Sequence, residues 1–357
     1  MSTAVPTTQK SLVLYKESTP YIVAETPVPH PGPKDALNPV DHIMVDPPFS
    51  RSFMQSYPFV PGCNAAGVVV QCGTEVTDRK VGDRVLIGAL WGTSGAAHQQ
   101  YATALAELTS IIPPNITFEQ AATLPLALVT AVLALYNQSL APENLSLRLK
   151  PVWEPEGTTA YAGTPAFIVG GATSVGQYAI QLARLAGHNP IIATASPHNA
   201  PLLKSLGATH VLDRSRSDES ILTELPTLTG GKPIEYVLVA LFHHGGEPMR
   251  LGRDGLAPGG AFALVSASPD FVPEDVRNPG QGKRVGFVSG SALPPFNRDM
   301  GVAMFKQITS WLEKGLIKPD PVEVLPNGLA GIPEGLERLK ANKVSGKKLV
   351  ARPQETP

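Results

Sequence analysis

Residues 165–184 read PAFIVGGATSVGQYAIQLAR and carry more information about the fold than any other part of the chain. Ala166 to Val169 form a short apolar run, which predicts a buried strand. No large side chain follows before Val175, and residues 177–183 then place apolar side chains at helical spacing. The pattern therefore predicts a strand, a tight turn and a helix.

The small residues of this turn suit it to hold a phosphate group. Backbone N–H groups could approach a diphosphate closely, with the positive end of the helix dipole aimed at it. We expect Gly170, Gly171 and Gly176 to supply the turn, the close approach and the packing of the helix on the strand. The glycine spacing differs from the common GxGxxG pattern, so a turn without a ligand stays open as the alternative.

The next predicted strand indicates which nucleotide such a turn would hold. It covers residues 190–194 and runs into Ala195, Ser196, Pro197, His198 and Asn199. A protein that selects NAD usually has Asp or Glu here for the ribose 2′-hydroxyl, and neither is present. Ser196, His198 and Asn199 could instead donate hydrogen bonds to a 2′-phosphate. The pattern favours NADP, although no arginine stands at the end of this strand.

Composition excludes several classes of protein. The chain has 357 residues, 43% of them hydrophobic and 17% charged, which predicts globular domains with substantial cores. A formal charge of −1 without a long basic block argues against nucleic acid or an anionic membrane as partner. Cys63 and Cys72 are the only cysteines, and the N-terminus lacks an apolar signal core. We therefore expect a cytoplasmic protein.

The N-terminal third predicts a small β-barrel followed by a helix. The segments with strand character are 11–17, 21–28, 65–70, 84–90 and 99–103, of which the first two predict a hairpin. Phe118 to Tyr136 predicts one buried helix, opened by a capping box of Thr117 and Gln120. The polar, proline-rich residues 137–164 predict a surface excursion.

Strands and helices then alternate, which predicts a doubly wound parallel sheet. The predicted strands are 166–169, 191–194, 210–212, 236–240, 261–265 and 284–289. The predicted helices are 200–206, 219–227, 247–252, 300–314 and 332–342, and a last strand covers 348–352.

Eight segments carry a resemblance to a known family. They are NPVD (38–41), PGCNAAGVV (61–69), VGDRV (81–85), FEQAATLPLALVTA (118–131), GGATSVGQYAIQLA (170–183), LGATHVLD (206–213), APGGAFALV (257–265) and VSGKKLV (344–350). Together they resemble the medium-chain dehydrogenase/reductase superfamily, in its zinc-independent quinone- and enoyl-reductase branch. TASPHN (194–199) and the long insertion are most similar to fungal members, which include trans-acting enoyl reductases of polyketide assembly.

The resemblance implies an α/β fold, in which a Rossmann doubly wound parallel sheet is joined to a GroES-like β-barrel domain built from both chain ends. Residues 1–125 and 316–357 would form the GroES-like catalytic domain, and residues 126–315 the Rossmann NADP-binding domain. The active site would lie in the cleft between them. Family members are commonly dimers, and some fungal reductases act beside a synthase, so a homodimer and a synthase partner are both expected alternatives.

The zinc branch of the family has Gly-His-Glu where this chain has Gly62, Cys63 and Asn64. We therefore expect no metal. Without zinc, no Lewis acid would polarise an alcohol oxygen, which argues against simple alcohol oxidation. The chemistry left is transfer of a hydride from NADPH to a small molecule with an electron-poor carbon, such as an enone, an enoyl thioester or a quinone.

The resemblance also assigns residues to the site. Thr130 would contact the nicotinamide ribose, while a helical threonine bonded to its own backbone stays open as the alternative. Leu241 and Val265 would border the nicotinamide, and Ser196 and Asn199 would hold the adenosine phosphate. The residues expected at the diphosphate are Gly171, Ala172, Thr173, Ser174 and Val175, and further cofactor-binding candidates are Gly170, Gly176 and His198. The catalytic candidates are Asn38, Asp41, His42 and Thr130.

Two departures from the family pattern bear on catalysis. Relatives usually have Lys or Tyr at the position of Ile43, where it can hold substrate or donate a proton, and His42 is the available substitute. Relatives also have a barrel strand of about nine residues where Lys34 and Asp35 run directly into Ala36. The alternative function is therefore an NADPH-binding protein with impaired catalysis that acts as a sensor or partner subunit.

Overall fold

The computed structural model describes residues 5–16, 19–29, 57–88, 94–141, 146–241, 246–265, 272–288 and 290–357. The chain divides into two compact units. The first comprises Met1–Leu126, Ile308–Glu313 and Pro319–Pro357, and the second comprises Ala127–Gln307 and Lys314–Lys318. The expected barrel strand before Asn38 would fall within residues 30–56, which lie outside the described residues.

The described chain contains these strands: β1 (Thr8–Val13), β2 (Ile22–Pro27), β3 (Asn64–Val68), β4 (Arg84–Gly88), β5 (Thr109–Ile111), β6 (Ala166–Val169), β7 (Ile191–Ala195), β8 (His210–Asp213), β9 (Tyr236–Val239), β10 (Ala261–Val265), β11 (Arg284–Val288), β12 (Val322–Val324) and β13 (Lys348–Val350). The helices are α1 (Phe118–Ala121), α2 (Pro125–Tyr136), α3 (Ser174–Leu185), α4 (Ala200–Leu206), α5 (Asp218–Leu228), α6 (Glu247–Asp254), α7 (Glu274–Arg277), α8 (Pro295–Glu313) and α9 (Ile332–Lys340).

The second unit contains the predicted doubly wound sheet. Its six strands lie in the order β11-β10-β9-β6-β7-β8, and all pairs are parallel. Phe167, Val237 and Phe262 are completely buried on these strands, as expected for a parallel sheet covered on both faces. The direction of strand succession reverses between β6 and β9, which is where doubly wound sheets bind ligands beyond the carboxyl ends of their strands.

The described residues of the first unit form three small sheets. The predicted hairpin is confirmed as the antiparallel pair β1-β2, β3-β4-β5 are antiparallel, and β12 pairs in parallel with β13. The prediction of a strand over residues 99–103 was wrong. Gln99 forms only an isolated bridge with Ser11, and the side chains of Gln9 and Gln100 bond to the backbones of Tyr101 and Lys10. Side-chain bonds thus replace a strand ladder there.

The predicted helix over 118–136 is two helices. The capping box is confirmed, since the Gln120 amide donates to the Thr117 hydroxyl at 3.2 Å and the Thr117 amide to Gln120 Oε1 at 3.0 Å. The break precedes Pro125, which has no N–H to continue the first helix but suits the first position of the second. The stretch is long and apolar enough to span a membrane, but 72% of its most apolar window is buried, as in a core helix.

The prediction of a surface excursion over 137–164 was also wrong in part. Leu147 and Leu149 are buried, and their amides donate to the carbonyls of Ala134 and Leu135 at 2.8 Å. Because the last carbonyls of a helix lack partners within it, these bonds complete the end of α2.

Candidate functional site

The strand, turn and helix predicted around Gly170 are confirmed, with β6 ending at Val169 and α3 beginning at Ser174. Gly170 has φ of +87°, and a Cβ there would lie 2.6 Å from Leu241 Cγ. Gly171 faces the interior, where a Cβ would lie 2.8 Å from the Cβ of Ala193. These positions therefore require glycine for backbone conformation and packing.

Gly176 lets the first turn of α3 approach the glycine turn. A Cβ on Gly176 would overlap the carbonyl oxygen of Gly170 and lie 2.8 Å from Gly171 Cα. The hydroxyl of Thr173 accepts a bond from the Gly176 amide at 3.0 Å and donates to the Gly170 carbonyl at 2.9 Å. The helix start and the turn thus form one rigid piece of backbone.

Three amides of this piece have no acceptor within the described chain. They belong to Ala172, Ser174 and Val175, which are all partly exposed. The neighbouring amides are satisfied, since those of Gly170 and Gly171 donate to the hydroxyl and the carbonyl of Thr194. Three available N–H groups at a helix N-terminus could hold a phosphate group.

The other sequence-predicted cofactor residues lie along the same sheet edge. Leu241 follows β9 and packs over Gly170, while Val265 is the last residue of β10. The strands β10, β9 and β6 are neighbours in the sheet, so their carboxyl ends lie side by side. Leu241, Val265 and the glycine turn therefore line the same side of the sheet. On the far side of β6, β7 leads into the turn Pro197–Asn199. Ser196 and His198 are accessible there, whereas Asn199 is only 5% exposed.

The register of the sheet adds a residue that the sequence analysis missed. No arginine stands at the end of β7, but Arg214 directly follows the neighbouring strand β8. Asp213 pairs with Ala195, which brings Arg214 beside Ser196. Only the pairing of the two strands reveals this proximity, because 18 positions separate the residues in the sequence.

The structure leaves the roles of the predicted catalytic residues untested. Thr130 lies in α2 and is only 3% exposed, and its role stays a prediction. Asn38, Asp41, His42 and Ile43 lie outside the described residues, so their roles also stay predictions.

The residues at the family's zinc positions have structural roles. Cys63 packs in an apolar cluster with Leu14 and Phe59. Asn64 is fully buried, and its Oδ1 accepts a bond of 2.6 Å from the amide of Leu126 at the start of α2. Within the described ranges, no group of three His, Cys, Asp or Glu residues is placed to hold a metal. These residues do not fit a zinc ion.

The hydrogen bond that buried Asn64 accepts gives a first prediction. We expect Asn64→Ala to lower the free energy of unfolding by about 1–3 kcal/mol, because the amide of Leu126 loses a buried acceptor. Urea unfolding measures the change. Gln71→Ala, at an exposed position, is the matched control and should change stability by less than about 0.5 kcal/mol. An equal loss in both variants would contradict the assignment.

Comparison with known proteins agrees with this fold. The alcohol dehydrogenase GroES-like domain matches residues 35–130, and the zinc-binding dehydrogenase family matches residues 174–295. A trans-enoyl reductase of Penicillium sp. is 32% identical over 97% of this chain and 98% of its own length. One from Aspergillus japonicus is 34% identical over 88% of this chain and 86% of its own length.

Solved structures show the same fold. The quinone oxidoreductase of Pseudomonas syringae superposes with a TM-score of 0.73 at 21% identity, covering 96% of this chain and 99% of its own. A crotonyl-CoA carboxylase/reductase solved in complex with NADP superposes with a TM-score of 0.75 at 16% identity, covering 97% and 95%.

The fold and the glycine turn define a dehydrogenase or reductase with a Rossmann unit and a GroES-like unit. The chain belongs to the medium-chain dehydrogenase/reductase superfamily, whose members bind NAD(P), and is an oxidoreductase of the enoyl reductase type that acts on small molecules.

Proposed function

We propose that this protein is an NADPH-dependent, zinc-independent reductase of an activated carbon–carbon double bond, in the secondary metabolism of a fungus. The observation that carries the proposal is the set of three available amides at Ala172, Ser174 and Val175, at the switch point of the parallel sheet. The trans-enoyl reductases among its relatives support the choice of an enoyl substrate over a quinone.

The residues around the turn fit a dinucleotide. The amides of Ala172, Ser174 and Val175 would hold the diphosphate, while Leu241 and Val265 would present an apolar surface to the nicotinamide and exclude water from it. Thr130 would bind the nicotinamide ribose. The bound cofactor supplies the hydride that adds to the electron-poor carbon.

The protein must also stabilise the charge that develops on the substrate. As hydride adds at the β-carbon, the carbonyl oxygen of an enone or enoyl thioester becomes negative, and the α-carbon needs a proton. His42 is our candidate for the proton donor, since Ile43 offers neither a proton nor a hydrogen bond. Asn38 and Asp41 belong to the same proposed catalytic segment.

The organisation of the protein is part of the proposal. Residues 1–125 and 316–357 would act as the catalytic domain, with residues 126–315 as the cofactor domain. β11 lies at an edge of the six-stranded sheet, which supports a homodimer paired through this strand, although a synthase partner is the alternative. We propose a cytoplasmic location.

A titration combined with an activity measurement tests the function. We expect purified protein to bind NADPH at least about tenfold more tightly than NADH, by fluorescence, because only NADPH has a 2′-phosphate. The bound NADPH should be oxidised when an enone or an enoyl thioester is added. Absence of nucleotide binding by the folded protein would refute the proposal.

A second candidate function rests on Ile43. If the protein binds NADPH but oxidises it with no enone, enoyl thioester or quinone, it is a nucleotide-binding sensor or partner subunit. The position where relatives have Lys or Tyr would then have lost its catalytic group.

A further inference from the structure

Two arginines follow β8, and they differ in their surroundings. Arg216 forms an ion pair of 2.6 Å with Glu224, and its Nη2 donates to the hydroxyl of Ser220 at 2.8 Å. Arg214 is exposed and forms no hydrogen bond or ion pair through its side chain with any described residue. One guanidinium is therefore held against α5, while the other is available to a ligand.

Arg214 is fixed beside the end of β7. Its amide donates to the carbonyl of Ala195 at 3.0 Å, one residue before Ser196. Adjacent strands lie about 5 Å apart, a distance that an arginine side chain easily spans. The turn Pro197–Asn199 also lies against β8. Arg214, Ser196 and His198 therefore occupy one accessible corner of the sheet edge.

The carboxylate of Asp213 lies close to this corner. Asp213 precedes Arg214, and its Oδ1 accepts a bond of 2.9 Å from the amide of Ser215. This bond, the Ser215 hydroxyl and the charges of Arg216 and Arg214 lower the pKa of Asp213. The carboxylate is thus engaged in closing its own turn. It stands at the end of β8, whereas an acid that selects NAD would stand at the end of β7.

We propose that Arg214 binds the 2′-phosphate of NADPH, together with Ser196 and His198, and so determines the preference of this protein for NADPH over NADH. The inference rests on the proposed function, because it requires a dinucleotide at the glycine turn. A guanidinium can donate two parallel hydrogen bonds to a phosphate, which carries nearly two negative charges at neutral pH. The 2′-hydroxyl of NADH offers no such charge.

Replacing each arginine by glutamine separates the two roles. The full-length variants Arg214→Gln and Arg216→Gln are titrated with NADPH and NADH by fluorescence, and with 2′,5′-ADP and 5′-AMP by calorimetry. We expect Arg214→Gln to weaken NADPH and 2′,5′-ADP about tenfold or more, with NADH and 5′-AMP changed less than about twofold. Arg216→Gln should change all four affinities by less than about twofold, since Glu224 holds that side chain. Arg214→Lys should retain part of the affinity for NADPH through its charge.

The outcomes separate this inference from the proposed function. If the wild-type protein prefers NADPH and Arg214→Gln keeps that preference, Arg214 has no such role and the reductase proposal stands. An equal loss of NADPH and NADH in Arg214→Gln would also overturn the assignment. If the wild-type protein binds neither nucleotide, or binds both equally well, the role of Arg214 fails together with the cofactor preference. We expect each Arg214 variant to have the unfolding temperature of the wild-type protein, since Arg214 is exposed.

Discussion

Replacing Gly176 by alanine should weaken nucleotide binding by more than about a hundredfold and lower the free energy of unfolding by about 1–3 kcal/mol. Alanine normally stabilises a helix by about 1 kcal/mol relative to glycine, so the propensity of the helix predicts the opposite sign. The difference arises from contact, because the new methyl group would overlap the Gly170 carbonyl and press on Gly171 Cα.

The change should also displace the amides of the proposed phosphate site. The Gly170 carbonyl accepts bonds from the amide and the hydroxyl of Thr173, which is the N-cap of α3. Moving this carbonyl displaces Thr173, and with it the adjacent amides of Ala172 and Ser174. We therefore expect the nucleotide affinity to fall by more than about a hundredfold, since several phosphate contacts are lost together.

The matched control is Gly67→Ala in β3. A Cβ at Gly67 would meet no atom within 4 Å, and its φ is not positive. We expect this variant to bind NADPH as the wild type does and to be at least as stable. Fluorescence titration and urea unfolding of both variants supply the test. Unchanged NADPH affinity in Gly176→Ala would show that the nucleotide does not bind at this turn.

The sequence predicted the elements of the Rossmann unit well because their signals are local. The predicted bounds of β6, β10 and α4 match the structure to the residue. β6 lies between Pro165 and Gly170, β10 begins after Gly260, and α4 ends before Gly207. The alternation of strands and helices predicted the doubly wound sheet, whereas its strand order comes from the structure. The three glycines of the turn, Gly170, Gly171 and Gly176, were found for the same reason.

The errors arose where distant residues decide the structure. The apolar pattern of 99–103 resembled a strand, but the side chains of Gln9 and Gln100 satisfy the backbone instead. Leu147 and Leu149 are buried because α2 ends with carbonyls that need partners, which the composition of the segment does not reveal. Arg214 likewise comes beside Ser196 only through the register of β7 and β8.

The other prediction with a large effect concerns His188, which lies at the amino ends of the strands, opposite the glycine turn. His188 precedes β7, Thr164 precedes β6, and Tyr236 begins β9, so the three lie near the amino ends of the strands. The imidazole stacks on Tyr161 with ring centroids 5.0 Å apart, and its Nδ1 lies 3.1 Å from the Thr164 hydroxyl. Burial lowers the pKa of His188 to about 4, partly opposed by the hydrogen bond with the Thr164 carbonyl.

This shift makes stability depend on pH in a defined direction. A histidine in an unfolded chain has a pKa of about 6.5. Between pH 6.5 and about 4, this histidine is therefore protonated in the unfolded chain, while His188 in the folded protein stays neutral. The stabilisation is fully present above pH 6.5 and is lost as the pH falls. We expect His188 to account for a loss of about 2–3 kcal/mol in the free energy of unfolding between about pH 7.5 and 4.5.

His188→Phe isolates this contribution, because phenylalanine keeps the stacking on Tyr161 but cannot be protonated. At neutral pH the variant should be about 1 kcal/mol less stable than the wild type, through the lost hydrogen bond with Thr164. At about pH 4.5 the order should reverse, as measured by urea unfolding over a series of pH values. NADPH affinity at neutral pH should not change, since the ring lies at the edge away from the glycine turn. Parallel pH profiles for both proteins would assign the acid sensitivity to groups other than His188.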